Sequence, residues 1–304
     1  MSTVEINDVA ARDGFQVEAS FIPTDDKIRV IDALSCVGLA RIEATAFVSP
    51  KSIPNLCDAV EVMEAIQRPV GMRFTVLVPN MRGAERALAC RVDEINLVMS
   101  ASDSHGLANL RMTSEQSLAQ FRSIVEVARG SGVFINASVS TTFGCPFEGP
   151  VDEQRVIQLV ERLLALGIDG ITLCDTTGMA NPAQVERFCN AALERFPTTP
   201  FTLHMHNTRG MGLANVLSAW QAGVTCFDGS LGGLGGCPYA PGATGNVCTE
   251  DMVHMFEQMG VNTGVDLEAL LTVSAALPEL VGHEVPGQVV KAGTAGRRYA
   301  TPCR

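Results

Sequence analysis

Two histidines separated by one residue, His204 and His206, form the strongest chemical signal in the sequence. Residues 201–206 read as a β-strand, in which side chains two positions apart point to the same face. Two imidazoles and an added oxygen ligand make a site for a divalent metal ion. The alternative is that they are two ordinary polar residues at a strand end. Further candidate ligands at neighbouring strand ends would favour the metal site.

Carboxylates follow three other predicted strands. Asp13 stands beside Arg12 after the first strand, Glu43 ends the second and Asp175 ends the sixth. Asp13 is either half of a surface ion pair with Arg12 or a metal ligand beside a cation that stabilises an oxyanion. Glu43 and Asp175 are candidates for general acid–base catalysis, or they cap helices and pair with arginine.

A glycine-rich segment with one cysteine, residues 230–246, follows the last predicted strand. Glycine lets the backbone bend and approach other groups closely. Cys237 in this segment favours a lid that carries a reactive thiol, whereas a long linker with a chance cysteine is the simpler alternative. The segment lacks the Gly-Lys-Ser/Thr ending of a phosphate-binding loop.

Strands and helices that alternate along the chain must position these residues. The predicted strands are residues 4–10, 40–44, 73–78, 94–98, 133–142, 170–174, 201–206 and 224–228. The predicted helices are residues 24–37, 57–66, 82–89, 114–129, 151–166, 182–195, 213–222, 250–259 and 266–280. Eight strands, each followed by a helix, predict an α/β fold of the (β/α)₈ TIM-barrel type with extra C-terminal helices. Active sites of such barrels lie at the carboxyl ends of the strands, where the candidates stand.

Composition narrows the class of protein. Of the 304 residues, 46% are hydrophobic, enough to fill a large core, so wholesale disorder is excluded. The net charge of −11 disfavours a nucleic-acid partner, because an acidic protein repels phosphate. Uncharged stretches are broken by glycine and polar residues, so no membrane span is expected. The ten cysteines include no Cys-x-x-Cys pair, which fits a reducing cytoplasm. Most of them are predicted to be small buried side chains, among them Cys36, Cys90, Cys189 and Cys226. Residues 1–281 are predicted to form one catalytic domain, and residues 282–304 a partly ordered tail.

Five segments of the sequence resemble the hydroxymethylglutaryl-CoA lyase family. They are Arg-Asp-Gly-Phe-Gln at residues 12–16, Ile-Glu-Ala-Thr-Ala-Phe-Val-Ser-Pro-Lys at 42–51, Cys-Asp-Thr-Thr-Gly at 174–178, His-Met-His at 204–206 and Gly-Gly-Leu-Gly-Gly-Cys-Pro-Tyr-Ala at 232–240. The similarity extends from residue 4 to about residue 281. The cysteine loop is specific to this family, whereas isopropylmalate and homocitrate synthases share the other features.

The resemblance implies a barrel that binds Mg²⁺ or Mn²⁺ through Asp13, His204, His206 and Asn246. Two imidazoles also make Zn²⁺ acceptable. The implied reaction is a retro-Claisen cleavage of an acyl-CoA substrate, with acetyl-CoA and acetoacetate as the products from 3-hydroxy-3-methylglutaryl-CoA.

The implied catalytic residues are Arg12, Glu43, Asp175 and Cys237. The base that takes the substrate hydroxyl proton is Asp13, Glu43 or Asp175, and these three remain open. Arg12 would stabilise the enolate oxygen, and Cys237 would protonate the enolate carbon.

The sequence departs from the family pattern at three places near the predicted site residues. Arg209 replaces a tyrosine after the histidine pair, and residues 106–109, Gly-Leu-Ala-Asn, replace lysines that follow strand four. A basic residue is also missing at Ala19 or Ser20. Alternatives are therefore a lyase for another 3-hydroxyacyl-CoA, an acetyl-CoA-dependent condensing enzyme and a catalytically silent barrel. A homodimer is expected from the resemblance alone.

Overall fold

The structure, a computed structural model, describes residues 2–236 and 245–300. Its strands are β1 Glu5–Asp8, β2 Arg41–Ala46, β3 Arg73–Val78, β4 Glu94–Ser100, β5 Phe134–Ser140, β6 Gly170–Asp175, β7 Phe201–Met205 and β8 Cys226–Gly229. They form a closed barrel in which each strand pairs in parallel with the next. β1 also pairs with β8, with Ile6 opposite Phe227, and closes the barrel. The predicted (β/α)₈ fold is confirmed.

Helices surround the barrel. They are α1 Thr24–Leu34, α2 Ala59–Ala65, α3 Met81–Ala89, α4 Asp103–Leu110, α5 Ser114–Ala128, α6 Glu153–Leu166, α7 Pro182–Arg195, α8 Gly212–Gln221, α9 Thr249–Gln258, α10 Leu267–Ser274, α11 Leu277–Val281 and α12 Val289–Ala292. Local signals define several of their ends. Thr113 and Gln116 form a capping box at α5, and Pro182 begins α7.

The strands separate two environments. Alternate residues such as Ile95 and Leu97 are fully buried in the hydrophobic core. The residues that alternate with these, such as Glu94 and Asn96, face the barrel axis and line a cavity of about 10 Å³. Arg41 also lines this cavity, and its Nη1 donates to both carboxylate oxygens of Glu94 at 2.7 Å. The barrel interior is therefore polar and hydrogen-bonded, where branched aliphatic side chains are usual.

Some predicted boundaries differ from the structure. The helix predicted over residues 266–280 is two helices, because Pro278 lacks an amide proton to continue α10 and lies in the first turn of α11. α4 was not predicted, since Gly106 interrupts its apolar pattern, but the Ser102 side chain caps its first turn. The first strand ends at Asp8, and residues 10–14 form a wide helical turn.

The cysteine prediction is correct for Cys189, which is buried, and wrong for Cys36, whereas Cys90 and Cys226 are half-buried. Cys36 is exposed because it lies in the turn beyond α1, outside the packed helix face. No helix within residues 2–236 and 245–300 is long and apolar enough to cross a membrane.

The C-terminal segment packs on the loop that follows β8. Val285 is buried, and the Gly287 amide donates to the carbonyl of Gly232 at 2.9 Å. Gly232 in turn has a positive φ of 66°, and a side chain there would meet Leu277 at 2.9 Å. Glycine is therefore required at this position for both conformation and space.

Candidate metal and catalytic site at the carboxyl end of the barrel

His204 and His206 meet Asp13 at the carboxyl end of the barrel. His204 lies on β7 and His206 directly follows this strand, so both rings lie on the same side, with their Nε2 atoms 3.2 Å apart. One ligand atom each from Asp13, His204 and His206 lies within 4.8 Å of the other two. All three residues are buried. A carboxylate and two imidazoles at this spacing form a site for a divalent cation.

Asp228 on β8 orients the first imidazole. Its Oδ2 accepts from His204 Nδ1 at 3.3 Å, and its Oδ1 accepts from Asn7 Nδ2 at 2.9 Å. A proton on Nδ1 leaves His204 Nε2 with a free lone pair for a metal. Burial lowers the pKa of His204, but the hydrogen bond and charge of Asp228 outweigh it, so the pKa is raised.

His206 and Asp13 are each held in the protonation state that binds a metal ion. Burial, followed by the charge of His204, lowers the pKa of His206 to about 3, so its imidazole is neutral. Burial opposes ionisation of Asp13, but the charges of Arg12 and of the two histidines, with the hydrogen bond from Asn246, together outweigh it and lower the pKa of Asp13 to about 2. Neutral imidazole and ionised carboxylate are the species that bind a divalent metal ion.

Asn246 supplies a fourth potential ligand atom beside this group, and it is the second oxygen. Its Nδ2 donates to Asp13 Oδ2 at 2.7 Å and to the carbonyl of Leu234 at 3.0 Å. Its Oδ1 is buried and has no hydrogen-bond partner among the residues that the structure describes. A buried amide oxygen without a donor is a ready ligand for a hard cation. These residues therefore fit a divalent metal.

Arg12 links this group to Glu43. The wide turn over residues 10–14 directs the Arg12 guanidinium between two carboxylates, and its Nη1 donates to Asp13 Oδ1. Its Nε donates to Glu43 Oε2 at 2.6 Å, and its Nη2 is 2.5 Å from the same oxygen. Two carboxylates thus fix a buried cation at the site, where it can stabilise a developing negative charge.

Asp175 ends β6 with one oxygen bound and one open. Its Oδ1 accepts from the amides of Met179 and Ala180 at 2.8 and 3.1 Å. Its Oδ2 is buried and has no partner within the described part of the chain. Burial raises the pKa of Asp175 to about 6. A carboxyl group with this pKa can gain and lose a proton near neutral pH.

Comparison with known proteins identifies the family. The HMGL-like family model matches residues 3–277 of the sequence. The chain belongs to the HMGL-like family. It is 46% identical to hydroxymethylglutaryl-CoA lyase YngG of Bacillus subtilis over 94% of this chain and 95% of the relative. It is 41% identical to (R)-citramalyl-CoA lyase of Chloroflexus aurantiacus, with 96% of each chain covered.

A solved structure extends the comparison to a bound ligand. An HMG-CoA lyase from Acinetobacter baumannii, in complex with coenzyme A and 3-methylmalate, superposes with a TM-score of 0.95. It is 51% identical, with 99% of this chain and 98% of that chain covered. Membership of the HMGL-like family makes this chain a carbon–carbon lyase, as the sequence predicted.

Cys237 lies outside the described residues, whereas both ends of its loop are described. Gly235 has a φ of 110°, and a side chain there would meet Asn246 Nδ2 at 2.6 Å. A side chain at Gly245 would meet the Gly235 carbonyl oxygen at 2.1 Å. The glycines of this HMGL-like chain thus let two backbone segments approach each other beside Asn246.

Arg209 contacts the backbone beyond β6. Its Nη1 donates to the carbonyl oxygens of Thr177 and Gly178 at 2.8 and 2.9 Å. Its charge also lowers the pKa of Asp175, against the larger effect of burial. In this HMGL-like chain, Arg209 therefore connects the loop after β7 to the loop that follows Asp175.

Two residues that hydrogen-bond to the site were not predicted from the sequence: Asp228, which accepts from His204, and Asn96, which donates to Glu43. Both side chains face the barrel axis. They lie on strands whose hydrophobic pattern predicted only buried apolar residues. A polar residue within an otherwise apolar strand is the one signal that would have drawn attention to them.

Proposed function

We propose that this chain is a divalent-metal-dependent lyase that cleaves 3-hydroxy-3-methylglutaryl-CoA to acetyl-CoA and acetoacetate. The observation that carries the proposal is the buried group of Asp13, His204 and His206 beside Arg12, in an HMGL-like chain. The relatives at 46% and 51% identity are named as lyases for this substrate, and one of them binds coenzyme A. Residues 1–281 would form the single catalytic unit.

Asp13, His204, His206 and Asn246 would hold the metal. Mg²⁺ and Mn²⁺ suit the two oxygen ligands, and the two imidazoles also accept Zn²⁺. When bound, the metal supplies a Lewis acid that lowers the pKa of the substrate hydroxyl.

Asp175 is the carboxylate we assign to accept the proton from the substrate hydroxyl. Its Oδ2 is buried without a partner among the described residues, and its pKa is raised to about 6 by burial. Glu43 and Asp13, by contrast, each accept hydrogen bonds from Arg12. We therefore assign these two to holding the guanidinium, and Asp13 also to the metal.

Arg12 would stabilise the product enolate. As the hydroxyl proton leaves, the electron pair of the broken carbon–carbon bond moves onto the thioester and forms the enolate of acetyl-CoA. The guanidinium is positively charged and already oriented, so it can stabilise the enolate oxygen without rearrangement. We assign to Cys237 the proton that the enolate carbon then takes, which completes acetyl-CoA.

The test is to incubate the purified protein with 3-hydroxy-3-methylglutaryl-CoA and Mn²⁺ or Mg²⁺ and to measure acetoacetate. We expect metal-dependent release that EDTA abolishes and that is lost in Asp13→Asn. (R)-Citramalyl-CoA is the second substrate to test, because a lyase for it is 41% identical. Pyruvate from citramalyl-CoA without acetoacetate from the first substrate would refute the proposed substrate and keep the reaction type.

The expected homodimer and cytoplasmic location also stay predictions. Light scattering after size-exclusion chromatography measures the first, and cell fractionation the second.

A further inference from the structure

Asn96 on β4 connects the barrel interior to Glu43. Its Nδ2 donates to Glu43 Oε1 at 3.0 Å. The other oxygen, Glu43 Oε2, accepts from Arg12. Glu43 is therefore held at both oxygens, by the guanidinium on one side and by a neutral amide on the other.

The Asn96 amide has only one orientation that satisfies its neighbours. Its Oδ1 accepts from Asn136 Nδ2 at 3.0 Å and from Ser138 Oγ at 2.9 Å. Asn136 Nδ2 also donates to Thr172 Oγ1 at 2.8 Å. A flipped Asn96 would turn its Oδ1 toward the Glu43 carboxylate, which only accepts hydrogen bonds, so its Nδ2 must face Glu43.

This network extends over three strands beneath the site. Asn96 is on β4, Asn136 and Ser138 are on β5, and Thr172 is on β6. All four side chains are buried, where a hydrogen bond is strong and an unpaired polar group is costly. The Oε1 side of the Glu43 carboxylate is therefore positioned by Asn96, which the other three residues hold in turn.

We propose that Asn96 is a positioning residue that fixes the Arg12 guanidinium through Glu43. Without the amide donor, Glu43 Oε1 would be buried without its partner and the carboxylate would turn to find another. Arg12 would then lose a fixed acceptor for its Nε and Nη2 atoms. A guanidinium that is free to rotate stabilises an enolate oxygen less well than a fixed one.

The first test observes Arg12 directly by nuclear magnetic resonance, with ¹⁵N-arginine labelling. The Nε–H signal of Arg12, assigned by its loss in Arg12→Lys, should exchange slowly with water in the wild-type protein. In Asn96→Leu we expect exchange at least tenfold faster. The matched control is Thr75→Val, because Thr75 lines the same interior and its Oγ1 has no hydrogen-bond partner in the described chain. Wild-type exchange in Asn96→Leu would overturn the proposal.

The second test is kinetic and rests on the proposed function. We expect Asn96→Leu to lower kcat about tenfold or more while KM changes less than threefold, and Thr75→Val to change neither by more than twofold. A wild-type kcat in Asn96→Leu overturns the proposal. If the wild-type protein cleaves no tested acyl-CoA, the proposed function fails, whereas the exchange measurement still tests Asn96. Should Asn96→Leu not fold, the isosteric Asn96→Asp replaces it, with the same expected direction, because its carboxylate would face Glu43.

Discussion

Replacing Asp228 by asparagine should weaken metal binding although Asp228 is not a ligand. Asp228 accepts two hydrogen bonds, from His204 Nδ1 at 3.3 Å and from Asn7 Nδ2 at 2.9 Å. Asparagine keeps the shape but turns one acceptor into a donor. If its NH₂ group faces His204, the imidazole proton moves to Nε2, and that nitrogen can no longer bind a metal.

The size of the effect depends on how Asn7 responds. Asn7 can flip and accept from the new NH₂ group, at the cost of its contact from Nδ2 to Cys226 Sγ at 3.3 Å. His204 then keeps a neutral acceptor and loses only the charge of Asp228. Removing such a carboxylate partner costs about 10- to 100-fold in metal affinity. We expect about tenfold with the flip and about a hundredfold without it, or about 1.4 to 2.7 kcal/mol.

Isothermal titration calorimetry with Mn²⁺ measures this loss, with the thermal midpoint as a check on folding. The control is Asp152→Asn, because Asp152 is an exposed cap of α6 and asparagine caps helices equally well. A Kd within threefold of the wild-type value in Asp228→Asn would refute the argument that Asp228 sets the protonation of His204. The same loss in the control would show that the assay reports general destabilisation.

Three further predictions concern the rest of the structure. Lys27 is buried and pairs with Asp58 at 2.8 Å, so Lys27→Met should cost about 3–5 kcal/mol in urea unfolding; a loss under about 1 kcal/mol would contradict this. Burial raises the pKa of Asp8 to about 7, so the folded protein keeps a proton that the unfolded chain releases above pH 4. The unfolding free energy should therefore fall from pH 4 to 7 relative to Asp8→Asn, by up to about 4 kcal/mol, and parallel curves would refute it. Arg209→Gln should move the acidic limb of the kcat/KM profile to higher pH, by less than about one unit, because the charge of Arg209 lowers the pKa of Asp175; an unmoved limb would exclude this coupling.

The fold was predictable because its signals are local. Alternating strands and amphipathic helices leave a periodic pattern, and eight repeats of strand and helix favour a closed barrel. The elements that were not predicted are those that side-chain hydrogen bonds stabilise, rather than a periodic apolar pattern. α4 has Gly106 in its middle and depends on the cap from Ser102, which a search for periodicity does not detect. The turn at residues 10–14 likewise depends on the Asp8 side chain, which accepts from the Ala10 amide at 2.9 Å.

The candidate site was predictable only where the chemistry is visible in one strand. The His-x-His spacing and the Arg-Asp pair identify strand ends, and the structure brings Asp13, His204 and His206 together. Asn246 came from family resemblance, since an asparagine in a glycine-rich loop has no local signal for a ligand. The partners beneath the site, Asp228 and Asn96, depend on which strands are neighbours in the barrel, and no single strand carries that information.

The polar interior explains why such partners exist. An apolar barrel interior would support the strands but would leave Glu43 and His204 to orient themselves. Here Asn96 donates to Glu43, and Asp228 accepts from His204. Asp228 is in turn connected through Asn7 and Cys226 to the Arg41–Glu94 pair near the amino ends of the strands. Buried ion pairs and amides contribute little net stability. We therefore infer that their value here is geometric, so substitutions of the interior groups that hydrogen-bond to the site, Asn96 and Asp228, should change catalysis without contacting the substrate.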